Sequence, residues 1–231
     1  MATYNGEKWI LEQLNSILTQ LTISDEIIIA DDNSTDNTVK IIKDLKDDRI
    51  KLFEFKDSVG AAKNFERALL KTQGEIIFLA DQDDVWLDNK VKKMVEALSD
   101  SSLVMHDAKV IDAEKNIIYD SYFKVRDVKH GMINNIIKNS YTGAMMAFKR
   151  ELLDLALPIP NRAPHDPWIA LIAECCSNTK FIKDKLILWR RHKDTVTKFN
   201  SFYYSQLFNM AFSRIYMFLF SFSRMIRGRK K

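Results

Sequence analysis

Apolar and polar positions along the 231-residue chain follow two periods in turn, and each change of period marks an element. Residues 7–20, EKWILEQLNSILTQ, put Ile10, Leu14, Ile17 and Leu18 on one face, the spacing of an amphipathic helix. EIIIADD, residues 26–32, is an apolar run ending in acid and predicts a buried strand. NSTDNTVKIIKDL follows, with Ser34 or Thr35 as the expected N-cap and a helical stripe of Val39, Ile42 and Leu45. IKLFEF, residues 50–55, predicts a second strand. In GAAKNFERALLKTQG, residues 60–74, Ala62, Phe65, Ala68 and Leu69 share a helical face and Gly74 is expected to close the helix. EIIFLA, residues 75–80, predicts another buried strand. Apolar strands alternating with amphipathic helices predict an α/β fold, with a mostly parallel sheet covered on both faces.

The chemistry sits where these strands stop. FLADQDDVW, residues 78–86, runs from apolar residues into three carboxylates, Asp81, Asp83 and Asp84, which repel one another in a bare loop. Asp31 and Asp32 end the earlier strand in the same way. Ligands of such sheets gather outside the carboxyl ends of the strands, so neighbouring strands would aim both acid groups into one crevice. Residue types leave two readings open: a site that holds a cation, or solvated turns with helix caps.

Composition narrows the class. Hydrophobic content of 46%, charged content of 29%, and only 6 Gly and 4 Pro describe a folded chain without long linkers or repeats, so one domain over residues 1–198 is expected. The net charge of +4 does not announce a nucleic-acid binder, and none is expected as a partner. Cys175 and Cys176 are adjacent, which gives neither a disulfide framework nor metal-ligand spacing; small core residues in a reducing, cytoplasmic setting are expected. Ala2 to Gly6 is polar and turn-like, unlike a secretory leader.

Taken together, ATYNGEKWILEQLNSIL (2–18), DEIIIADDNSTDNT (25–38) and EIIFLADQDDVW (75–86) resemble the nucleotide-binding half of family 2 glycosyltransferases, which have the GT-A fold. The resemblance covers nearly all of residues 2–100 and is looser to about 198. It implies a nucleotide-sugar half over 1–100 and an acceptor half over 101–198. Thr3, Tyr4 and Asn5 would line the nucleotide pocket, and Asp32 would meet the base or ribose. Asp81 and Asp83 would be the D-x-D acids, Asp81 reaching the ribose and Asp83 holding Mn²⁺ or Mg²⁺ on the donor diphosphate. Phosphate chemistry asks for the same ion, because a diphosphate gaining charge as it leaves calls for a hard cation with carboxylate and phosphate oxygens. Asp84 is expected as a brace or helix cap, and Trp86 as packing under the loop.

PNRAPHDPWIALIA, residues 160–173, resembles the segment in which this family carries its catalytic base, and Asp166 stands at that position. The implied reaction is direct displacement with inversion at the anomeric carbon. From residue types alone, Asp166 before Pro167 also reads as an N-cap, with a helix starting at Trp168. YTGAMMAFKREL (141–152) resembles the acceptor-side segment, where Gly143 lets backbone approach the sugar, though a strand-edge glycine fits too. LWRRHKDTVT (188–197) is similar to the loop that closes over the diphosphate, and Arg191 and His192 are the candidates there. His106 and His130 receive no role. DQDDVW and HDPW resemble the bacterial rhamnosyltransferase-like members of surface-polysaccharide assembly. The implied partners are a nucleoside-diphosphate sugar and a glycan or lipid-linked saccharide acceptor.

Family members carry an apolar strand just before the ATYNGE segment, and Met1 stands where that strand would end, so the working protein is expected to begin upstream or to be poorly stable. Residues 199–231 turn aromatic and basic: as a helix they gather Phe208, Phe212, Ile215, Leu219 and Phe222 on one face, with Arg214 and Arg224 opposite. That pattern predicts an interfacial helix on an anionic membrane surface, placing the protein on the inner face of the plasma membrane; packing on the catalytic domain is the bland alternative. Two rivals stay open: a haloacid-dehalogenase-type phosphatase using Asp81 and Asp83, and a degenerate, non-catalytic nucleotide-sugar binder.

Overall fold

A computed structural model describes residues 1–137, 139–161 and 163–193. The first half is built from β1 (Ala2–Thr3), α1 (Ile10–Leu18), β2 (Ile27–Asp31), α2 (Thr38–Asp44), β3 (Ile50–Glu54) and α3 (Ala61–Leu69). The three strands pair in parallel in the order β1-β2-β3. Met1 continues the ladder, its nitrogen donating to the Ile28 carbonyl at 2.7 Å and its carbonyl accepting from Ala30. β2 is buried along its whole length because both faces are covered. Ile27 and Ile29 join Ile10, Leu14 and Ile17 of α1, while Ile28 and Ala30 pack with Ala68 of α3. An unbroken run of apolar residues is what a strand covered on both sides requires.

The second half contains β4 (Ile76–Phe78), β5 (Val85–Trp86), α4 (Lys90–Ala97), β6 (Leu103–Ile111), β7 (Ile117–Tyr119), α5 (Tyr122–Arg126), α6 (Met132–Ile137), β8 (Met146–Lys149), α7 (Arg150–Ala156), α8 (His165–Cys176) and β9 (Thr179–Arg190), with a 3₁₀ turn at Gly143–Met145. Its strands run β4-β8-β6-β9-β5, and β7 pairs with β6. Only β6 and β9 are parallel here; β4–β8, β6–β8, β5–β9 and β6–β7 are antiparallel. The expected parallel sheet therefore holds for the first half and fails in the second. Parallel pairing needs a crossover, which α5 to α8 supply between β6 and β9, whereas β8 enters between β4 and β6 in the opposite sense.

Several helix limits also differ from the pattern. α2 starts at Thr38, because Ser34 donates to Asp31 instead of capping a helix. α3 ends at Leu69, and Gly74 lies beyond it in the link to β4. α8 begins at His165, so Asp166 sits inside its first turn and is no cap. Cys175 is half-buried against the core, with its Sγ donating to Met132 Sδ at 3.6 Å, while Cys176 is exposed and is not the core residue the composition implied; neither is in a disulfide.

Trp168 locks α8 to α7. Its ring is fully buried and its Nε1 donates to the Ala156 carbonyl at 2.7 Å. Trp168→Ala should cost about 3 to 5 kcal/mol, the usual penalty for emptying a large aromatic site. Urea unfolding with an unchanged slope would measure it, and a loss below about 1 kcal/mol would refute this placement of the core.

Candidate active site

β4 delivers the chain to the acidic turn. Leu79 and Ala80 are buried, and the three acids that follow have carboxylate oxygens within 4.8 Å of one another. Burial and the charges of Asp83 and Asp166 push the Asp81 carboxyl up to about 7. Burial, then Asp83 and Asp81, raise Asp84 well above its ordinary range. The turn is held open against this repulsion by main-chain anchors. Gln13 Nε2 donates to the Asp81 carbonyl at 2.7 Å. The buried Arg190 donates from Nε to the Asp83 carbonyl at 2.7 Å, and its main-chain N–H donates to Asp84 Oδ1 at 2.9 Å. The same guanidinium reaches Glu12 Oε2 at 2.7 Å and the Ala113 carbonyl at 3.0 Å, and it lies 4.3 Å over the Trp9 ring. His192 Nε2 lies 2.9 Å from Asp83 Oδ2.

These residues fit a hard divalent cation. Asp84 Oδ2 is buried without a hydrogen-bond partner, and three clustered carboxylates offer the all-oxygen donor set that Mg²⁺ and Mn²⁺ take. Behind the turn, Lys90 is fully buried and donates to the Ala144 carbonyl at 2.8 Å, with its ammonium 4.3 Å from the Trp86 ring. Burial pulls its pKa down to about 7. Trp86 packs in this layer, 6% exposed and against Phe78, as expected for a support under the loop.

Asp166 faces the acids from α8. Its charge is among those that raise Asp81, and its Oδ2 accepts from the Gly143 N–H at 3.2 Å. Gly143 is small for a reason: a Cβ there would stand 3.2 Å from His165 Nε2 and 3.4 Å from Asp166 Cβ. His165 stacks on Phe65 with ring centroids 4.0 Å apart, and burial lowers its pKa against the pull of Asp166.

The strand ends of the first half form the opposite wall. Asp31 accepts from Thr3 Oγ1 at 2.8 Å and from Ser34 at both its N–H and its hydroxyl. Thr3 is 1% exposed, so its side chain supports this wall from beneath and does not line the crevice. Asp32 accepts from Ser58 Oγ and from the Val59 and Gly60 N–H groups, with Arg67 3.4 Å away. Its first task is thus to anchor the loop before α3. Asn5 has φ +46°, and its Oδ1 accepts from the Thr35 N–H; Tyr4 keeps an exposed ring. A cleft of about 360 Å³ opens nearby between Val59–Lys63 on one side and Ile159, Pro160, Ala163 and Pro164 on the other.

The structure brings together Asp81, Asp83, Asp166, Gly143, Arg191 and His192 of the residues singled out in the sequence. Arg191 lies over the Trp189 ring at 4.3 Å and feels Asp83, Asp84 and Asp81, while burial lowers its pKa. Arg190, Glu12, Lys90 and Gln82 were missed. Arg190 and Arg191 are equivalent in a sequence, and Gln82 reads as a spacer between two acids. The interfacial helix expected over residues 199–231 lies outside the described residues.

A parallel βα half with acids at its strand ends, facing a carboxylate on the first turn of a helix from a mixed half, is the GT-A fold. Staphylococcus aureus TarS residues 1–349 in complex with UDP-GlcNAc superimposes with a TM-score of 0.70 at 18% identity, over 96% of this chain and 70% of that one. The mannosyltransferase PcManGT of Pyrobaculum calidifontis, solved with GDP-Man and Mn²⁺, gives 0.61 at 18% identity, over 99% and 73%. Residues 1–155 match Glycosyl transferase family 2, and the chain belongs to that family. The dTDP-rhamnosyl transferase RfbG of Shigella flexneri is 36% identical over 84% of this chain and 72% of its own length. The E. coli UDP-Glc:alpha-D-GlcNAc-diphosphoundecaprenol beta-1,3-glucosyltransferase WfgD is 25% identical over 75% and 68%. A Nostoc sp. relative is spanned over 63% of its length. Family membership removes the phosphatase reading of Asp81 and Asp83. Among the described residues no helix is long and apolar enough to cross a membrane.

The acid cluster has a consequence for stability. Asp81 titrates near 7 when folded and near the ordinary value of about 3.9 when unfolded, so between those values the folded chain holds the extra proton. Its contribution to stability therefore falls as pH rises from about 4 to 7. Asp81→Asn should raise the melting temperature of the chelator-treated protein at pH 7.5, and the gain should vanish towards pH 4. A gain independent of pH would refute the coupling.

Proposed function

We propose that the chain transfers a sugar, with inversion, from a nucleoside-diphosphate sugar to an acceptor hydroxyl. The observation that carries this reading is the convergence of the three-acid turn with Asp166 on one crevice. Asp166 is the base. The Gly143 N–H engages Oδ2, leaving Oδ1 to take the acceptor proton as the new bond to the anomeric carbon forms and the bond to the diphosphate breaks. When bound, the cation, Mn²⁺ or Mg²⁺, supplies positive charge to the leaving diphosphate. Asp83 is its main ligand, with Asp81 and Asp84 beside it, and Asp81 also reaches the ribose. Arg191 stands near the same acids and offers a guanidinium to the phosphates, and His192 offers a ring N–H. Tyr4 and Asn5 line the nucleoside side, and Asp32 shapes it through the Val59–Gly60 loop.

The relatives support a finer reading. The names of RfbG, a dTDP-rhamnosyl transferase, and WfgD, a glucosyltransferase acting on a diphosphoundecaprenol-linked sugar, favour a deoxyhexose or hexose donor and a lipid-linked acceptor in bacterial surface-polysaccharide assembly. A basic, aromatic tail would keep such an enzyme on the inner face of the plasma membrane, where that acceptor resides. Removing residues 205–231 should release the protein from anionic liposomes in a flotation assay; unchanged flotation would refute the tail's role.

Two substitutions separate the roles. Asp83→Asn should abolish the metal-dependent rise in melting temperature produced by the one of UDP, dTDP or GDP that the wild type binds. Asp166→Asn should keep that rise and lower turnover about 10²- to 10⁴-fold. Equal loss of binding in both variants would refute Asp166 as base. Metal-dependent nucleotide binding without any turnover would favour the non-catalytic reading.

A further inference from the structure

Gln82 lies between the two acids of the D-x-D motif, and its side chain points away from them to the other wall of the crevice. Its Oε1 accepts from the Tyr4 N–H at 2.9 Å, and its Nε2 donates to the Tyr4 carbonyl at 2.9 Å. The amide thus pairs with one residue's main chain as a neighbouring strand would. Its room is provided by Gly6: a Cβ there would stand 2.4 Å from Gln82 Oε1 and 2.6 Å from its amide carbon. No rotation of a neighbour relieves such a contact while the amide stays paired. Tyr4 and Gln82, 78 residues apart in sequence, are thus joined by this contact, and Gly6 leaves the room for it.

Each wall also has fastenings other than this amide. The acidic turn is held by Gln13 on the Asp81 carbonyl and by Arg190 on Asp83 and Asp84. The Tyr4–Glu7 segment is held by Ser34 on the Asn5 N–H, Thr38 on the Gly6 N–H and Asp36 on the Glu7 N–H. Gln13 and the Arg190–Glu12 pair already tie the acidic turn to α1, and the Gln82 amide adds the contact that reaches Tyr4 itself, so what it adds is the distance between Tyr4 and the D-x-D turn. We propose that Gln82 is a positioning residue that sets the span between the nucleoside wall and the cation-binding turn, and so favours ligands whose base-to-diphosphate length matches that span. This rests on the reading of the crevice as a nucleotide-sugar site.

A ligand that bridges both walls gains from their fixed separation, because its second contact forms at a high effective concentration; a ligand that touches one wall gains nothing. The test measures three affinities in wild type and Gln82→Met, with Mn²⁺ present: the nucleoside diphosphate that the wild type binds among UDP, dTDP and GDP, the matching free nucleoside, and inorganic pyrophosphate. Gln82→Met should weaken the diphosphate about tenfold, near 1.4 kcal/mol, and leave the nucleoside and pyrophosphate within about twofold. Gly6→Ala, which displaces the same amide, should reproduce this, and combining the two should add little. Gln82→Glu keeps the acceptor and loses the donor, and should fall between.

Uniform weakening of all three ligands in Gln82→Met and Gly6→Ala, or unchanged diphosphate affinity, would overturn the proposal. Failure of the wild type to bind any nucleoside diphosphate with Mn²⁺ would instead overturn the nucleotide-sugar reading, and with it the role given to Gln82.

Discussion

Three carboxylates held within 4.8 Å of one another impose the constraint on which the rest of the molecule depends. Two unit charges 4 Å apart repel by about 4 kcal/mol at an effective dielectric of 20, a large share of the 5 to 15 kcal/mol that hold a domain together. The turn survives because its main chain is gripped from both sides, by Gln13 through a carbonyl and by Arg190 through a carbonyl and a carboxylate. Burial first, and then the repulsion, favour protonated carboxyls, and both push Asp81 and Asp84 up. A divalent cation relieves the same repulsion at neutral pH, and a leaving diphosphate needs that cation. Strain in the acid cluster and the function proposed for it are two sides of one electrostatic fact.

The division of labour between the halves follows from their topology. The parallel half places the carboxyl ends of β1 and β2 together, so Tyr4, Asn5, Asp31 and Asp32 share one wall. The mixed half carries α8 across to β9, and that crossing sets Asp166 beside Gly143 and opposite the acids. Arg190, at the end of β9, then ties Asp83 and Asp84 back to Glu12 of α1 in the first half. The buried Lys90 does a similar service from behind, joining α4 to the turn that carries Gly143 through the Ala144 carbonyl. Arg190 fixes where the acids stand, and Lys90 fixes the turn that carries Gly143.

Hydrophobic period and strand-end acids were legible from the chain because they are local. β2 is apolar on both faces and therefore unbroken, α1 places Ile10, Leu14 and Ile17 inward as its period required, and Asp81 and Asp83 stand at the end of β4 as the strand predicted. Helix limits were read less well where polar side chains had other partners. Ser34 was spent on Asp31, and α2 started at Thr38. The mostly parallel pairing expected of the sheet holds for β1 to β3 but in the second half survives only between β6 and β9, since strand direction depends on connections that periodicity does not encode.

By itself the chain determined which segments are buried and which acids end its strands, since both depend on neighbours a few residues away. Tertiary structure decided which polar groups meet. Arg190 and Arg191 are adjacent, yet successive residues of an extended chain point opposite ways; one is buried against Glu12, 178 residues distant, and the other is left near the carboxylates. Gln82 looks like a spacer until the fold sets Tyr4 and Gly6 against it. Such pairings are fixed by how the two halves pack, and no period along the chain records them.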